Sequence, residues 1–236
     1  MLSSLYAESS DESENESMSD MDEDMSWVEW FCRLKGNEFY IEVDEEYIQD
    51  DFNLTGLNQI VPYYDDALGI ILDEDDQDQI AEEDQTMIET ACQMLYGLVH
   101  SRFILTSRGI QSLYEKYLSG VYGLCWNETC ASQKRFVLPI GSDVVGQGGT
   151  NVYCPGCGEC YIPRNPKLAQ LDGAYFGSTA AHMLVLQFKN SIDPGTTTPY
   201  IPLLYGFRLF PGVRDIVRER TQAKDSPVQD QPMVGQ

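Results

Sequence analysis

Apolar residues between positions 85 and 120 recur with the 3.6-residue period of α-helices, and this pattern predicts two helices. The first helix would bury eight residues along one face: Met87, Ile88, Ala91, Cys92, Leu95, Leu98, Val99 and Phe103. Thr106 can cap the second helix, and Gly120 is a typical residue at a helix end. Because Cys92 lies on the apolar face, we expect it to be a buried thiol rather than a ligand.

Upstream of these helices the pattern predicts shorter ones, near Asp44–Gln49 and from Tyr63 to Leu72. The folded part of the chain is expected to begin at Ser26, which has the spacing of a capping box with Glu29 and precedes an aromatic run. Residues 1–25 contain too few apolar side chains to offset the entropy of ordering, so we predict a disordered acidic tail there.

Beyond Gly120 the pattern changes to short apolar runs that are separated by glycine and proline, which is typical of β-strands. Strands are predicted at Arg135–Ile140, Asn151–Tyr153, Met183–Phe188 and Leu203–Phe210. The polar residues from Glu219 onward are expected to form a flexible tail.

The charge of the chain is concentrated in its first third. Residues 1–84 contain 27 of the 38 acidic residues and only two of the 15 basic ones. Direct binding to nucleic acid is therefore disfavoured, whereas basic proteins and polyamines become plausible partners. A purely solubilising role of the acids is the alternative for the N-terminal stretch.

Targeting signals are not apparent in the sequence. The N-terminus has neither the basic nor the apolar region of a signal peptide, and no apolar run reaches the roughly 18 residues of a membrane span. We therefore expect a protein of the cytoplasm and nucleus, in which the seven cysteines are thiols or metal ligands rather than disulfides.

Four cysteines have the spacing of a zinc ribbon, in which two close pairs on two turns face one metal ion. The pairs are Cys125 with Cys130 and Cys154 with Cys157. Four thiolates leave no open coordination position, so such a site folds the chain and does not activate water. Gly156 and Gly158 are expected to supply the positive φ angles of the metal-binding turn.

Cys160 complicates this assignment, because Cys157 and Cys160 form another close pair. A tetrahedral site accommodates only one of the two pairs, and Cys160 is expected to lie on the outgoing strand as a bystander, at an interface if it has a role. A redox site is disfavoured because prolines follow directly, and a zinc deaminase would need a His-x-Glu element that neither His100 nor His182 provides. Both histidines are expected to be structural.

Ten ordered sequence blocks, spread over residues 26–211, resemble the regulatory beta subunits of casein kinase II. They are Trp27–Cys32, Gly36–Tyr40, Glu42–Glu45, Phe52–Leu57, Met94–Leu98, Ile104–Gly109, Leu138–Gly141, Tyr153–Pro155, Asp172–Gly177 and Leu204–Phe207. The resemblance implies a non-catalytic homodimer that holds two catalytic subunits in a heterotetramer, stabilises them and alters their choice of substrates. It also implies an α+β fold, with an all-helical N-terminal subdomain packed on a zinc-ribbon-like β subdomain.

Three sets of site residues follow from the resemblance. The zinc ligands match Cys125, Cys130, Cys154 and Cys157. The acidic loop that the family uses against polycations matches Asp73, Glu74, Asp75, Asp76 and Asp78. The segment that grips the catalytic subunit matches Tyr205, Gly206 and Phe207, with Met183 from a neighbouring strand; burial of Tyr205 and Phe207 in a core is the alternative.

Five segments are predicted along the chain. They are the acidic tail (1–25), a helical subdomain (26–120) with an acidic loop at 73–84, a zinc-binding dimerisation subdomain (121–190), a segment that binds the catalytic subunit (191–218) and a flexible tail (219–236). Each of four tail serines has an acid three residues later and is a predicted phosphorylation site: Ser9, Ser13, Ser17 and Ser19. The alternative function is a free-standing zinc-ribbon scaffold that binds basic proteins.

Overall fold

The computed structural model describes residues 25–74, 82–127, 130, 135–192 and 203–208. The chain divides into two compact units, Met1–Thr197 and Thr198–Gln236. Several predicted features lie outside the described residues: both tails, with Ser9, Ser13, Ser17 and Ser19, and the loop residues Asp75, Asp76 and Asp78.

Eight α-helices are described in the first unit. They are α1 (Trp27–Arg33), α2 (Glu45–Ile48), α3 (Asp51–Leu54), α4 (Tyr64–Ile71), α5 (Glu82–Phe103), α6 (Ser107–Ser119), α7 (Pro166–Gln170) and α8 (Ala180–Gln187). Two short 3₁₀ turns accompany them, at Leu57–Gln59 and Gly173–Tyr175. Among the described residues no helix is both long and apolar enough to cross a membrane.

The helix ends form where the local sequence predicts them. The Ser26 hydroxyl accepts a hydrogen bond from the backbone N–H of Glu29 at 3.3 Å, and the Thr106 hydroxyl accepts one from Gly109 at 3.0 Å. Helix α6 ends at Gly120, whose φ of 75° lies in the left-handed region that glycine adopts without strain. Each cap satisfies a backbone group that the first or last turn of a helix would otherwise leave unpaired.

The apolar face of α5 is buried as predicted, apart from Met87, which is exposed. The helix also buries Tyr96, a polar aromatic that periodicity did not single out. The Tyr96 hydroxyl donates to the carbonyl of Ile41 at 2.7 Å and accepts from the backbone N–H of Val43 at 3.2 Å. The hydroxyl therefore acts both as donor and as acceptor, so its burial leaves no hydrogen-bonding group unpaired.

The described β-structure of the first unit is a three-stranded antiparallel sheet in the order β1-β2-β3. Its strands are β1 (Leu138–Ile140), β2 (Asn151–Tyr153) and β3 (Cys160–Tyr161). The predicted strand at Met183–Phe188 is wrong, because Met183–Gln187 belongs to helix α8 and Phe188 is its C-cap. Ala180, Ala181 and Leu184 of that helix are buried, so its core-facing residues follow a helical spacing.

The described part of the second unit is a β-hairpin. Strands β4 (Leu203–Leu204) and β5 (Phe207–Arg208) pair antiparallel, with Leu204 opposite Phe207. Tyr205 and Gly206 form the turn with φ angles of 51° and 83°, both positive as a type I′ turn requires. The prediction of one continuous strand over Leu203–Phe210 is therefore wrong.

One hydrophobic core joins the helices of the first unit to its zinc-ribbon-like part. Tyr40 lies at the junction, where its ring stacks on Phe176 at 5.8 Å and meets Tyr96 edge-on at 5.9 Å. Helix α5 approaches the 3₁₀ turn Gly173–Tyr175 closely at Gly97, where a Cβ atom would overlap the Tyr175 ring. The α+β prediction is confirmed.

Candidate metal centre and exposed hairpin

The four cysteines of the predicted zinc site are carried by two irregular turns at one end of the sheet. Cys154 follows the last residue of β2, and Cys157 lies in the turn that leads to β3. The other pair follows a β-bridge between Leu124 and Phe136. The backbone N–H of Cys125 donates to the carbonyl of Arg135 at 2.8 Å, which closes this second turn at its base.

The four sulfur atoms are arranged as a metal ion requires. All of them lie within 4.8 Å of one another, with Cys125 to Cys157 at 3.9 Å and Cys130 to Cys154 at 4.0 Å. A disulfide would need about 2.05 Å. A tetrahedron with Zn–S bonds of about 2.3 Å has edges of about 3.8 Å, so the cluster fits one zinc ion.

Burial strengthens the case for a cation at this position. Cys125, Cys130 and Cys154 are buried and Cys157 is half-buried, so ionised sulfurs here would be poorly solvated. Burial raises the pKa of Cys154 far above its ordinary value, against the backbone N–H groups of Cys157 and Gly156, which lower it. A divalent ion would offset this cost, because zinc binds thiolates and releases their protons.

A hydrogen-bonded chain supports the Cys157 sulfur. Asn127 donates through its side-chain nitrogen to the Tyr161 oxygen at 3.0 Å, which leaves the Tyr161 O–H free to donate to Cys157 at 3.2 Å. Burial opposes ionisation of Cys157, but Tyr161 and the backbone N–H of Glu159 outweigh it and lower the pKa. Sequence analysis missed Tyr161 and Asn127, since no local pattern marks a partner that acts across two turns.

The two turn glycines have different roles. Gly158 has a φ of 71°, as predicted. Gly156 does not have a positive φ, so that expectation is wrong. Its lack of a side chain instead gives room to Arg135, because a Cβ atom on Gly156 would overlap the Arg135 side chain.

Cys160 lies outside the sulfur cluster. It is the first residue of β3, pairs with Tyr153 across the sheet and is exposed. The described cluster of potential metal ligands contains Cys157 and not Cys160. This placement agrees with the assignment of Cys160 to the outgoing strand.

Of the five acids predicted to bind polycations, Asp73 and Glu74 are described, and both are exposed. The last three residues of the predicted loop at 73–84 belong to α5, which begins at Glu82. The Asp73 carboxylate has a local role, because its two oxygens each accept from the backbone N–H of Trp27 at 3.1 Å. It thereby caps the start of α1 from a distant position in the sequence. Glu74 continues from this point toward the part of the loop outside the described residues.

The residues expected to grip the catalytic subunit fall into both units. In the hairpin, Tyr205 is 93% exposed and Phe207 is 77% exposed, so neither belongs to a core. Leu204 faces Phe207 across the hairpin, whereas Tyr205 projects from the turn beside Gly206. The predicted strand over Leu203–Phe210 would place Tyr205 and Phe207 side by side on one face. In the hairpin they do not share a face in this way, because Tyr205 is in the turn and Phe207 is in β5. Met183 is half-buried in α8.

Comparison with known proteins gives a consistent result. Residues 26–208 match the family of casein kinase II regulatory subunits. The chain is similar to casein kinase II subunit beta of Dictyostelium discoideum, with 41% identity over 217 residues that cover 92% of this chain and 80% of the relative. It is 43% identical to subunit beta of Schizosaccharomyces pombe over 194 residues, which cover 82% of this chain and 83% of the relative. It is also 43% identical to subunit beta' of Drosophila melanogaster, over 82% of this chain and 88% of the relative.

Proposed function

The chain belongs to the casein kinase II regulatory subunit family, whose members are non-catalytic, and we propose that it dimerises, docks two catalytic subunits and modulates their selection of substrates. Each part of the molecule has a different task. The four-cysteine centre holds the dimerisation surface in shape, the hairpin binds the kinase, and the acidic loop attracts basic partners.

The metal centre supports a structural task. Bound zinc would supply four strong bonds that tie the two cysteine turns together, and its coordination by Cys125, Cys130, Cys154 and Cys157 would be complete. Two aliphatic side chains near these turns, Leu124 and Ile162, are exposed. Burying them against a second copy would stabilise a dimer, and correct folding of the turns is the precondition.

The observation that carries the docking proposal is the exposed apolar hairpin. Leu203, Leu204, Tyr205 and Phe207 are all exposed, and two-residue strands are too short to be stable alone. Aromatic side chains are the anchors that most often dominate binding energy at protein interfaces. Positive φ at both turn residues projects Tyr205 beyond the strands, so a partner pocket can surround it.

The test is calorimetric titration of the casein kinase II catalytic subunit into the zinc-loaded chain. We expect Tyr205→Ala combined with Phe207→Ala to weaken binding at least thirtyfold, because a truncated anchor costs about 2 kcal/mol or more. Met183→Ala should have a smaller effect, since methionine fills gaps rather than anchoring. Phe52→Ala is the matched control, as Phe52 is an exposed aromatic on α3.

Native mass spectrometry of the same samples reports the oligomeric state and the zinc content. The double variant should remain a zinc-bound homodimer without the kinase. Wild-type affinity in that variant would refute the assignment of the hairpin. A wild-type chain that binds no catalytic subunit would refute the proposal as a whole and favour a free-standing zinc scaffold for basic proteins.

A further inference from the structure

An open groove of about 500 Å³ lies between the helical part of the first unit and the loop that follows β1. We call it the α5 groove, because it is lined by Leu98 in the C-terminal part of α5 and by Leu105 just beyond the end of that helix. Leu57 and Ile60 line it from the first 3₁₀ turn and the residues after it, and Val144 and Phe176 close the other side. Its volume is in the range of pockets that enclose small ligands.

The rim of the groove is unusually apolar for a surface. Ile60 is 50% exposed, Leu105 is 41% exposed and Val144 is 54% exposed. Single exposed aliphatic residues are common, but three around one concavity mark a surface that gains by being covered. The floor beneath them is buried at Leu98 and Phe176, so it is packed and preformed.

The two charged residues of the groove already have partners within the protein. Arg102 donates to the carbonyls of Asn53 at 2.6 Å and Thr55 at 3.0 Å, and so holds the end of α3. Asp143 accepts from the backbone N–H and the hydroxyl of Ser178, at 2.8 and 2.7 Å. These bonds make the walls rigid, and they leave apolar contact as the main interaction for an occupant.

The surroundings of the groove are acidic. Leu57 and Ile60, which provide one wall, lie between α3 and α4, and helices α2, α3 and α4 carry five acidic side chains and no basic one. Asp51 lies on α3, whose end is hydrogen-bonded to Arg102, so this acidic residue is close to the Arg102 end of the groove. Asp65 lies in the first turn of α4, which follows the wall formed by Leu57 and Ile60. A cationic partner would be attracted to this end, and an acidic one would be repelled.

We propose that the α5 groove binds a peptide segment of a partner protein in which aliphatic or aromatic side chains are flanked by lysine or arginine. The apolar side chains would cover Ile60, Leu105 and Val144, and the basic flanks would face Asp51 and Asp65. This site is separate from the four cysteines and from the exposed hairpin, and the inference does not depend on the proposed function.

The probe is a fluorescein-labelled peptide of twelve residues, with three leucines at one-turn spacing and two arginines at each end. A second probe has serine in place of each leucine and keeps the charge, which subtracts simple attraction to the acidic tail. Fluorescence anisotropy with the full-length, zinc-loaded chain should show the leucine probe binding at least tenfold more tightly than the serine probe.

Variants locate the binding. Ile60→Ser with Val144→Ser should remove this preference for the leucine probe, and Asp51→Asn with Asp65→Asn should weaken both probes and reduce the salt dependence. Leu118→Ser with Leu186→Ser is the control, since both are exposed aliphatic residues elsewhere on the first unit.

Three results would overturn the proposal. One is equal binding of the two probes by the wild-type chain. Another is an unchanged preference in the Ile60 and Val144 variant. The third is a loss of the dimer in that variant, shown by native mass spectrometry, together with no probe binding by the wild type, which would assign the groove to a second copy of the chain.

Discussion

His100 provides a sharp test of the core, because it is a titratable residue at the junction of the helical and zinc-ribbon-like parts. It is fully buried on α5, between the rings of Tyr40 and Phe176, which it meets edge-on at 5.2 and 5.3 Å. Its Nδ1 lies 2.7 Å from the carbonyl oxygen of Tyr175. Since a carbonyl only accepts, Nδ1 carries the proton, and Nε2 is a buried atom without a partner among the described residues.

The magnitude follows from this environment. Burial lowers the pKa of His100 from 6.5 to about 4, the bond to the Tyr175 carbonyl opposes this change, and Lys116 adds to it. Between these two values the unfolded chain binds a proton that the folded chain does not, so stability is complete above pH 6.5 and falls as the pH drops toward 4. The loss is about 2 kcal/mol at pH 5 and at most about 3 kcal/mol.

The assay is urea unfolding of the zinc-loaded chain, followed by tryptophan fluorescence at pH 7.5, 6 and 5. His100→Leu should be less stable at neutral pH by about 1–3 kcal/mol, because it leaves the Tyr175 carbonyl unpaired. Between pH 7.5 and 5 it should lose about 2 kcal/mol less than the wild type. His182→Leu is the control, because it replaces the other histidine of the chain, which is exposed.

Protonation of the zinc thiolates also destabilises the chain in acid, but it contributes equally to the wild type and to both variants. The difference between the pH profiles therefore isolates His100. Parallel profiles for the wild type and His100→Leu would show that His100 becomes protonated without cost in the folded chain. The buried position described for it would then be incorrect.

The other predictions concern the metal centre and the acidic segments. Cys125→Ser and Cys157→Ser should lose zinc and dimerisation, whereas Cys160→Ser should retain one zinc per chain by metal analysis; the reverse result would overturn the ligand assignment. Tyr161→Phe should weaken zinc binding about tenfold in competition with a chelator, because it removes the hydrogen bond to the Cys157 sulfur. Replacing the five loop acids by amides should reduce the stimulation of the kinase by polyamines or polylysine without loss of zinc; the acids are Asp73, Glu74, Asp75, Asp76 and Asp78. Unchanged stimulation would place the polycation site elsewhere. Phosphopeptide mapping after incubation of the assembled kinase with ATP should find label on the four tail serines, which are Ser9, Ser13, Ser17 and Ser19. Label confined to other positions would contradict this prediction.

Helices α5 and α6 and the four-cysteine cluster could be predicted from the sequence because their determinants are local or chemically specific. The 3.6-residue period defines the buried face of each helix, and Thr106 and Gly120 act on backbone groups within one turn. The cysteine pairs are specific for a different reason. Few roles other than zinc binding are open to two close pairs that avoid forming disulfides.

The two strand errors have different physical origins. Met183–Phe188 is a short, nearly continuous apolar run, and such runs are compatible with a buried strand and with a buried helix. In Leu203–Phe210 the turn is made by Tyr205 and Gly206, a pair that lacks the asparagine or aspartate typical of type I′ turns. Tyrosine in the left-handed region is unfavourable, so the local sequence argued for a strand that the chain does not form.

Long-range contacts account for what local patterns could not show. Asp73 caps α1 from 46 positions away, and Tyr175 accepts from His100 across 75 positions. These bonds form only after packing has brought the segments together. In the sequence, nothing distinguishes Asp73 from a solvated acid or Tyr175 from a surface tyrosine. The same holds for the α5 groove, whose apolar residues are scattered over four segments and acquire a common surface only through the fold.

The zinc-ribbon-like part and the hairpin place opposite demands on their side chains. In the metal centre the four sulfurs would fill every coordination position of a zinc ion, and Tyr161 and Asn127 hold the Cys157 sulfur, so bound zinc would have no open position for a substrate. In the hairpin the aromatic side chains are exposed to water, and burying them against a partner would be favourable because it removes apolar surface from water. A subunit that performs no chemistry must act through such surfaces. The contribution of Tyr205 and Phe207 to the affinity of the chain for the kinase, measured with the zinc centre intact, therefore tests the proposed function more directly than any assay of the metal.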